Sequence, residues 1–99
     1  MNSKITIRES DIHQHLKSRM EQRGVSLNEI EITLNEGFDA TDAKEGICGK
    51  VHIFEYNALW EGTYFEEKEV TVYYKYKDKE LILLTAKARY GKNFSKGER

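Results

Sequence analysis

Residues 68–90 decide the fold, and they read Lys68-Glu-Val-Thr-Val-Tyr-Tyr-Lys-Tyr-Lys-Asp-Lys-Glu-Leu-Ile-Leu-Leu-Thr-Ala-Lys-Ala-Arg-Tyr90. Residues 68–77 alternate with the two-residue period of a strand, and one face consists of Val70, Val72, Tyr74 and Tyr76. Asp78 and Lys79 predict a tight turn, and residues 80–90 predict a returning strand. Strict alternation would place Ile82, Leu84, Ala86, Ala88 and Tyr90 on one face of that strand. The other face would carry Leu81, Leu83, Thr85, Lys87 and Arg89.

A helix is predicted over about residues 11–25. Ser10 or Asp11 offers an N-cap. An apolar stripe follows at four-residue spacing, formed by Ile12, Leu16 and Met20. Gly24 is well placed to end the helix in the left-handed conformation.

A second helix is predicted over residues 26–36, with a stronger start signal. Ser26 and Glu29 have the spacing of a capping box, and Val25 and Ile30 are placed for a hydrophobic staple. Neither helix can bury its apolar stripe alone, so both must pack on a sheet.

The remaining segments complete an α+β prediction. Residues 1–10 are expected to form a leading arm or short strand, and the polar tail 91–99 to fray. Residues 38–49 are interpreted as a loop, 50–57 as a strand, and 58–67 as a long connection or irregular hairpin. Two N-terminal helices packed on an antiparallel sheet of three to four strands are therefore expected, in one domain over residues 1–99.

Composition excludes several classes of protein. The chain has 99 residues and one cysteine, so intramolecular disulfides and multi-cysteine metal sites are excluded, and no metal or cofactor is predicted. We see no signal peptide and no apolar run long enough to cross a membrane, and a free thiol fits a reducing compartment. A cytoplasmic protein without membrane contact is expected.

The net charge of −1 hides an uneven distribution. Residues 1–27 carry a net +2, residues 28–69 a net −8 and residues 70–99 a net +5. Such asymmetry can mark an interaction surface, unless folding mixes the segments into a neutral mosaic.

One candidate cluster lies on the first predicted helix, where His15, Arg19 and Arg23 follow one another at four-residue spacing along one flank. A histidine can move protons near neutral pH, and the arginines supply fixed positive charge. The alternative is structural, with arginine stems covering apolar surface.

A second cluster ends the last predicted strand, where Thr85, Lys87 and Arg89 share a face and Tyr90 follows. The two cations are about 7 Å apart along a strand, near the spacing of adjacent phosphates in single-stranded nucleic acid. Tyr90, with Tyr73 or Tyr76 nearby, offers rings for base stacking. The alternative is a solvated strand end with ordinary surface charges.

The run from His15 to Ser26 resembles a motif of small bacterial and phage domains, His-x3-Arg-Met-x2-Arg-Gly-[Ile/Val]-Ser. That family is grouped with the barnase–EndoU–colicin–RelE-like ribonuclease toxins. The resemblance covers roughly residues 12–90 in element order, and it implies a RelE-like fold and metal-independent RNA cleavage by 2′-hydroxyl attack.

The resemblance also implies roles for individual residues. His15 would act as base or acid, Arg19 and Lys87 would stabilise the phosphorane, and Arg89 would bind the adjacent phosphate. Tyr90 or Thr85 would position the nucleotide, and Arg23 completes the substrate-binding set. The partners implied are RNA and a cognate antitoxin, immunity or target protein.

A non-catalytic interaction module is the alternative function. Such a protein, which could be a phage-encoded inhibitor, would use the acidic segment 28–69 to bind a basic partner, or would bind RNA without cleaving it.

Overall fold

Helix α1 spans Gln14–Arg23 and begins later than predicted. Its N-cap is His13, whose Nδ1 accepts a hydrogen bond from the Leu16 backbone N–H at 3.2 Å. The predicted cap at Ser10 or Asp11 is therefore wrong, because Asp11 instead ends a short 3-10 turn, Glu9–Asp11. The predicted end is confirmed, since Gly24 caps the helix with a left-handed φ of 71°.

Helix α2 spans Leu27–Glu36 and has the predicted capping box. The Ser26 hydroxyl accepts from the Glu29 N–H at 3.1 Å, and the Glu29 carboxylate accepts from the Ser26 N–H at 3.0 Å. Val25 and Ile30, the proposed staple, are both buried. The N-terminus of α2 is thus capped by neighbouring residues, as predicted.

A four-stranded antiparallel sheet follows the helices and confirms the α+β class. The computed structural model describes residues 4–94. The strands lie in chain order and are β1 Phe38–Asp39, β2 Cys48–Trp60, β3 Thr63–Lys77 and β4 Glu80–Gly91. No helix within the described residues is long and apolar enough to cross a membrane.

The segment 58–67, predicted as a long connection or irregular hairpin, is the end of a hairpin whose strands continue to a tight turn. Trp60 pairs with Thr63, so only Glu61 and Gly62 form the turn. Both turn residues have positive φ, 52° and 88°, which matches the twist of the two strands. Strands β2 and β3 therefore extend well beyond the predicted boundaries.

Both helices pack on one face of the sheet. The fully buried residues at this contact come from α1, α2 and β3, and they are Leu16, Ile30, Val70 and Val72. Because β3 alternates, Thr71 and Tyr73 point to the opposite face. We call this the outer face, meaning the sheet face that carries Thr71, Tyr73, Lys87 and Arg89.

A β-bulge corrects the predicted faces of β4. Tyr73 pairs with Thr85 but Tyr74 pairs with Leu83, so Leu84 has no partner in β3. The extra residue shifts the alternation by one. Leu83 is consequently buried in the core with Ala86, and the predicted sharing of a face by Leu84 and Ala86 is wrong.

Side chains of α1 cover the free edge of β4. His13 Nε2 lies 3.1 Å from the Leu83 carbonyl oxygen, and Arg23 donates to the Ala86 carbonyl at 2.8 Å. In the reverse direction, the Tyr90 hydroxyl donates to the Arg23 carbonyl at 2.7 Å. These bonds fix the angle between α1 and the sheet.

The two ends of the described chain are both attached to the domain. Residues 4–8 form an arm without strand pairing, in which Ile7 is buried. Gly91 belongs to β4, and the Phe94 N–H donates to the Glu67 carboxylate at 2.9 Å. The remainder of the predicted tail, 95–99, lies outside the described residues, as do residues 1–3.

Candidate functional site

A cleft opens on the outer face, between the segment 38–42 and strands β3 and β4. It encloses about 320 Å³, at the lower end of the range for small-ligand sites. Its polar lining includes Asp42, Glu69, Tyr73, Lys87 and Arg89. Lys87 pairs with Thr71, and directly paired residues point to the same face of a sheet. Lys87 therefore points to the outer face, as Thr71 does.

Asp42, Tyr73 and Lys87 form one interacting group in the cleft. The Tyr73 hydroxyl donates to Asp42 Oδ1 at 2.8 Å. Lys87 Nζ lies 3.5 Å from Asp42 Oδ2 and 5.4 Å from the centroid of the Tyr73 ring. Two strands and the β1–β2 loop thus each contribute one polar side chain to the same point.

These contacts fix the protonation state of each member of the group. The hydrogen bond from Tyr73 and the charge of Lys87 lower the pKa of the Asp42 carboxyl. Burial and the bond to Asp42 raise the pKa of the Tyr73 hydroxyl. Tyr73 and Asp42 together raise the pKa of Lys87. At neutral pH the cleft therefore holds a carboxylate, a protonated phenol and an ammonium group.

Arg89 lies beside this group and is held by two partners. Its guanidinium donates twice to Glu69, from Nε at 3.0 Å and from Nη2 at 3.2 Å. It also lies 4.5 Å from the centroid of the Phe94 ring. The Arg89 side chain is still 65% exposed, so its outward side is open to a ligand.

Thr85 lines a hollow that adjoins the cleft and shares Asp42 and Tyr73 with it. Three of the residues singled out in the sequence, Thr85, Lys87 and Arg89, are thus brought together on the outer face.

The other four predicted site residues lie with α1 and do not line the cleft. His15 is exposed, and its ring is 6.2 Å from the nearly parallel ring of His13. Arg19 donates to Gln22 within the same helix. Arg23 and Tyr90 make the bonds that attach α1 to β4.

Tyr90 has a further structural role on the helix side of the sheet. Its ring stacks on Trp60, with centroids 4.9 Å apart and planes 8° apart. Burial raises the pKa of its hydroxyl, which stays protonated and bonded to the carbonyl of Arg23. Gly24 is required nearby, because an added Cβ would overlap the Trp60 ring.

Asp42 is a site residue that no sequence pattern predicted. It belongs to a segment interpreted only as an acidic loop, and its partners are 31 and 45 residues away. No local signal identifies such a contact. Tyr73 carried a usable signal, because strand alternation already placed it on the face opposite the core.

Within residues 4–94, no group of three histidine, cysteine or carboxylate side chains is arranged to hold a metal ion.

A protein-family comparison matches residues 12–87, which is most of the chain. The chain belongs to this family, which is described as a domain of unknown function (DUF4258). No curated protein and no solved structure matches the chain. The family description assigns no activity, and the cleft is the feature of the chain that points to a function.

Proposed function

We propose that this member of a family of unknown function is a metal-independent ribonuclease that acts through the outer-face cleft. One observation carries the proposal: a carboxylate, a phenol and two cations line the same cleft, as Asp42, Tyr73, Lys87 and Arg89. Cleavage of RNA by 2′-hydroxyl attack needs a base, an acid and fixed positive charge near the phosphate. The cleft contains a group suited to each role.

In the proposed reaction, the Asp42 carboxylate accepts the proton of the 2′-hydroxyl. The 2′-oxygen attacks phosphorus, and the bond from phosphorus to the 5′-oxygen breaks, which gives a 2′,3′-cyclic phosphate. Tyr73 donates its proton to the leaving 5′-oxygen. Lys87 stabilises the added negative charge of the phosphorane, and Arg89 binds the adjacent phosphate.

This assignment keeps Lys87 and Arg89 from the sequence hypothesis but moves the base from His15 to Asp42. At neutral pH the Asp42 carboxyl is ionised and can accept a proton, and the Tyr73 hydroxyl is protonated and can donate one. Substrate must displace the bond between these two side chains, since the proton of the Tyr73 hydroxyl now points at Asp42.

RNA binding without cleavage is the second candidate, and it is favoured by a different observation. Both cations of the cleft are already paired with carboxylates, Lys87 with Asp42 and Arg89 with Glu69. Such pairs can exchange one anion for a phosphate without further chemistry. This function predicts RNA affinity that depends on Lys87 and Arg89 with no cleavage product.

The test is cleavage of end-labelled tRNA and mRNA in EDTA by the wild-type chain and matched variants. Asp42→Asn, Tyr73→Phe and Lys87→Ala should each lower the cleavage rate by about a hundredfold or more, since each removes one proton-transfer or charge-stabilising group. His15→Ala and Arg19→Ala are the controls, and both should leave the rate within about twofold of wild type, because neither residue lines the cleft.

Two results would contradict the proposal. Intact RNA at high protein concentration would exclude cleavage, and retained RNA affinity would then favour the binding function. If His15→Ala abolished cleavage and Asp42→Asn did not, the catalytic base would lie on α1 and not in the cleft.

A further inference from the structure

The two edges of the sheet differ in how well they are protected. At the edge of β4, the side chains of His13 and Arg23 each bond one backbone carbonyl, those of Leu83 and Ala86. At the other edge, β1 is two residues long and pairs only with Lys50 and Val51 of β2. Beyond Val51, no described strand lies beside β2 on the side away from β3.

The unprotected edge presents backbone groups in a known direction. The Gly49 carbonyl accepts from the Ala40 N–H at 2.9 Å, so Gly49 faces the β1 side. Backbone direction alternates every residue, so Ile53 and Glu55 face the same side as Gly49. Among residues 4–94, no backbone hydrogen bond reaches Ile53 or Glu55 from that side. This stretch can therefore receive another strand.

The same stretch carries an unbalanced negative charge. Glu55 pairs directly with Glu67 across β2 and β3, and like charges in that position are destabilising. Glu69, two residues along β3 on the same face, forms an ion pair with Arg89 by contrast. Residues 51–67 contain four glutamates and no lysine or arginine. The row of Glu55 and Glu67 lacks a cation on the open side.

An apolar patch lies next to this row, towards the hairpin turn. Leu59 and Tyr64 are direct cross-strand partners, and they are 65% and 57% exposed. A bulge between Glu55 and Ala58 separates the patch from the regular part of the edge.

We propose that β2 binds an extended, basic segment of a partner protein as an added strand along residues 52–55. The backbone of Ile53 and Glu55 would pair with the segment, and a lysine or arginine of the segment would lie opposite Glu55. An apolar residue of the segment would contact Leu59. Ile53, Glu55 and Leu59 do not line the outer-face cleft, and the proposal does not depend on ribonuclease activity.

A second copy of the chain fits this edge less well than a basic segment. Antiparallel pairing of two β2 edges would bring two hairpins together, each with four glutamates and no lysine or arginine in residues 51–67. The charge that destabilises the row of Glu55 and Glu67 would then increase, since no cation enters it.

The test uses isotope-labelled full-length protein and three synthetic hexapeptides. The first alternates lysine and valine, the second replaces each lysine by glutamate, and the third is the lysine peptide with methylated backbone nitrogens. The lysine peptide should bind at least about tenfold more tightly than either of the others, because only it supplies both charge and backbone donors. Its binding should shift the amide signals of Ile53 and Glu55 and slow their hydrogen exchange.

Two variants complete the design. Glu55→Lys should reverse the preference between the lysine and glutamate peptides. Ile53→Pro removes an outward-facing N–H that takes no part in pairing with β3, and it should weaken the lysine peptide about tenfold. Unchanged amide signals of the β3–β4 hairpin would show that the proline leaves the rest of the sheet intact.

Equal binding of the methylated peptide would overturn the proposal, because it would show attraction by charge alone. Shifts confined to residues outside β2 would also overturn it. Concentration-dependent dimerisation that protects the Ile53 and Glu55 amides would show that the edge takes a second copy instead.

Discussion

Asp42 lies in the exposed β1–β2 loop, but its contacts with Tyr73 and Lys87 lower the pKa of its carboxyl. Because Tyr73 and Lys87 lower its pKa, the carboxylate stays ionised well below neutral pH. If Asp42 is the base, the cleavage rate should remain constant from pH 8 down to about pH 5 and fall only near pH 4 or below. A histidine base would instead lose activity near pH 6.5.

This prediction is checked by measuring initial cleavage rates between pH 3.5 and 8, with circular dichroism at each pH to confirm folding. An acidic limb with a midpoint close to 6.5 would assign the base to a histidine and exclude Asp42.

Lys68 is a buried cation whose partners all come from elsewhere in the chain. Its side chain is 4% exposed, and it donates to the Gly24 carbonyl and to both Glu29 oxygens, at 2.8 and 3.0 Å. The ammonium also lies 5.5 and 5.6 Å from the ring centroids of Tyr56 and Tyr90. Strand β3 is thereby attached to the turn between the helices.

Glu29→Gln should lower the free energy of unfolding by about 3 kcal/mol, because it leaves a buried ammonium without its counter-charge. Glutamine can still close the capping box, so the loss of the ion pair is isolated from the loss of the cap. Urea unfolding gives the measurement, and Ser26→Ala, which removes only the cap at a cost of about 1 kcal/mol, is the control. A smaller loss in Glu29→Gln than in Ser26→Ala would contradict this role of the ion pair.

Helix α1 depends on a single histidine for its first turn. His13 Nδ1 accepts from the Leu16 N–H, so Nε2 carries the proton and donates to the Leu83 carbonyl. His13→Ala should lower the free energy of unfolding by about 2 kcal/mol, the sum of a cap and a partly buried hydrogen bond. His13→Asn keeps a capping oxygen and should cost about half as much. Equal stability of the two variants in urea would contradict a capping role.

Local sequence was sufficient for elements whose signals are close together in the chain. The capping box of Ser26 and Glu29, and the end of α1 at Gly24, were predicted because each involves neighbouring residues. The cap at His13 was missed because histidine is not a preferred cap and its second partner is 70 residues away.

The faces of β4 were mispredicted for a similar reason. A run of four apolar residues, Leu81 to Leu84, contains no sign of where the alternation shifts. The bulge at Leu84 is set by packing, since the shift places Leu83 in the core. The turn at Glu61 and Gly62 gave only a partial signal, because glycine suits the second position but glutamate is not among the residues preferred at the first.

At the scale of the molecule, folding pairs the acidic middle segment with the basic end. Lys87 meets Asp42 and Arg89 meets Glu69, so cations of residues 70–99 are matched with acids of residues 28–69. The charges of each segment can be counted from the sequence, but which acid pairs with which cation cannot be predicted from it. Lys87 and Arg89 lie together on the outer face, whereas Arg19 lies on α1 and donates to Gln22.

The unequal protection of the two sheet edges has a consequence for assembly. A filament built by strand addition needs two accepting edges on every subunit, because each added subunit must present a free sheet edge to the next one. Within residues 4–94, side chains of His13 and Arg23 bond two carbonyls of the β4 edge, whereas the β2 edge beyond Val51 has no strand beside it. Strand addition is therefore favoured at one edge over the other, and this asymmetry favours complexes of finite stoichiometry over open filaments.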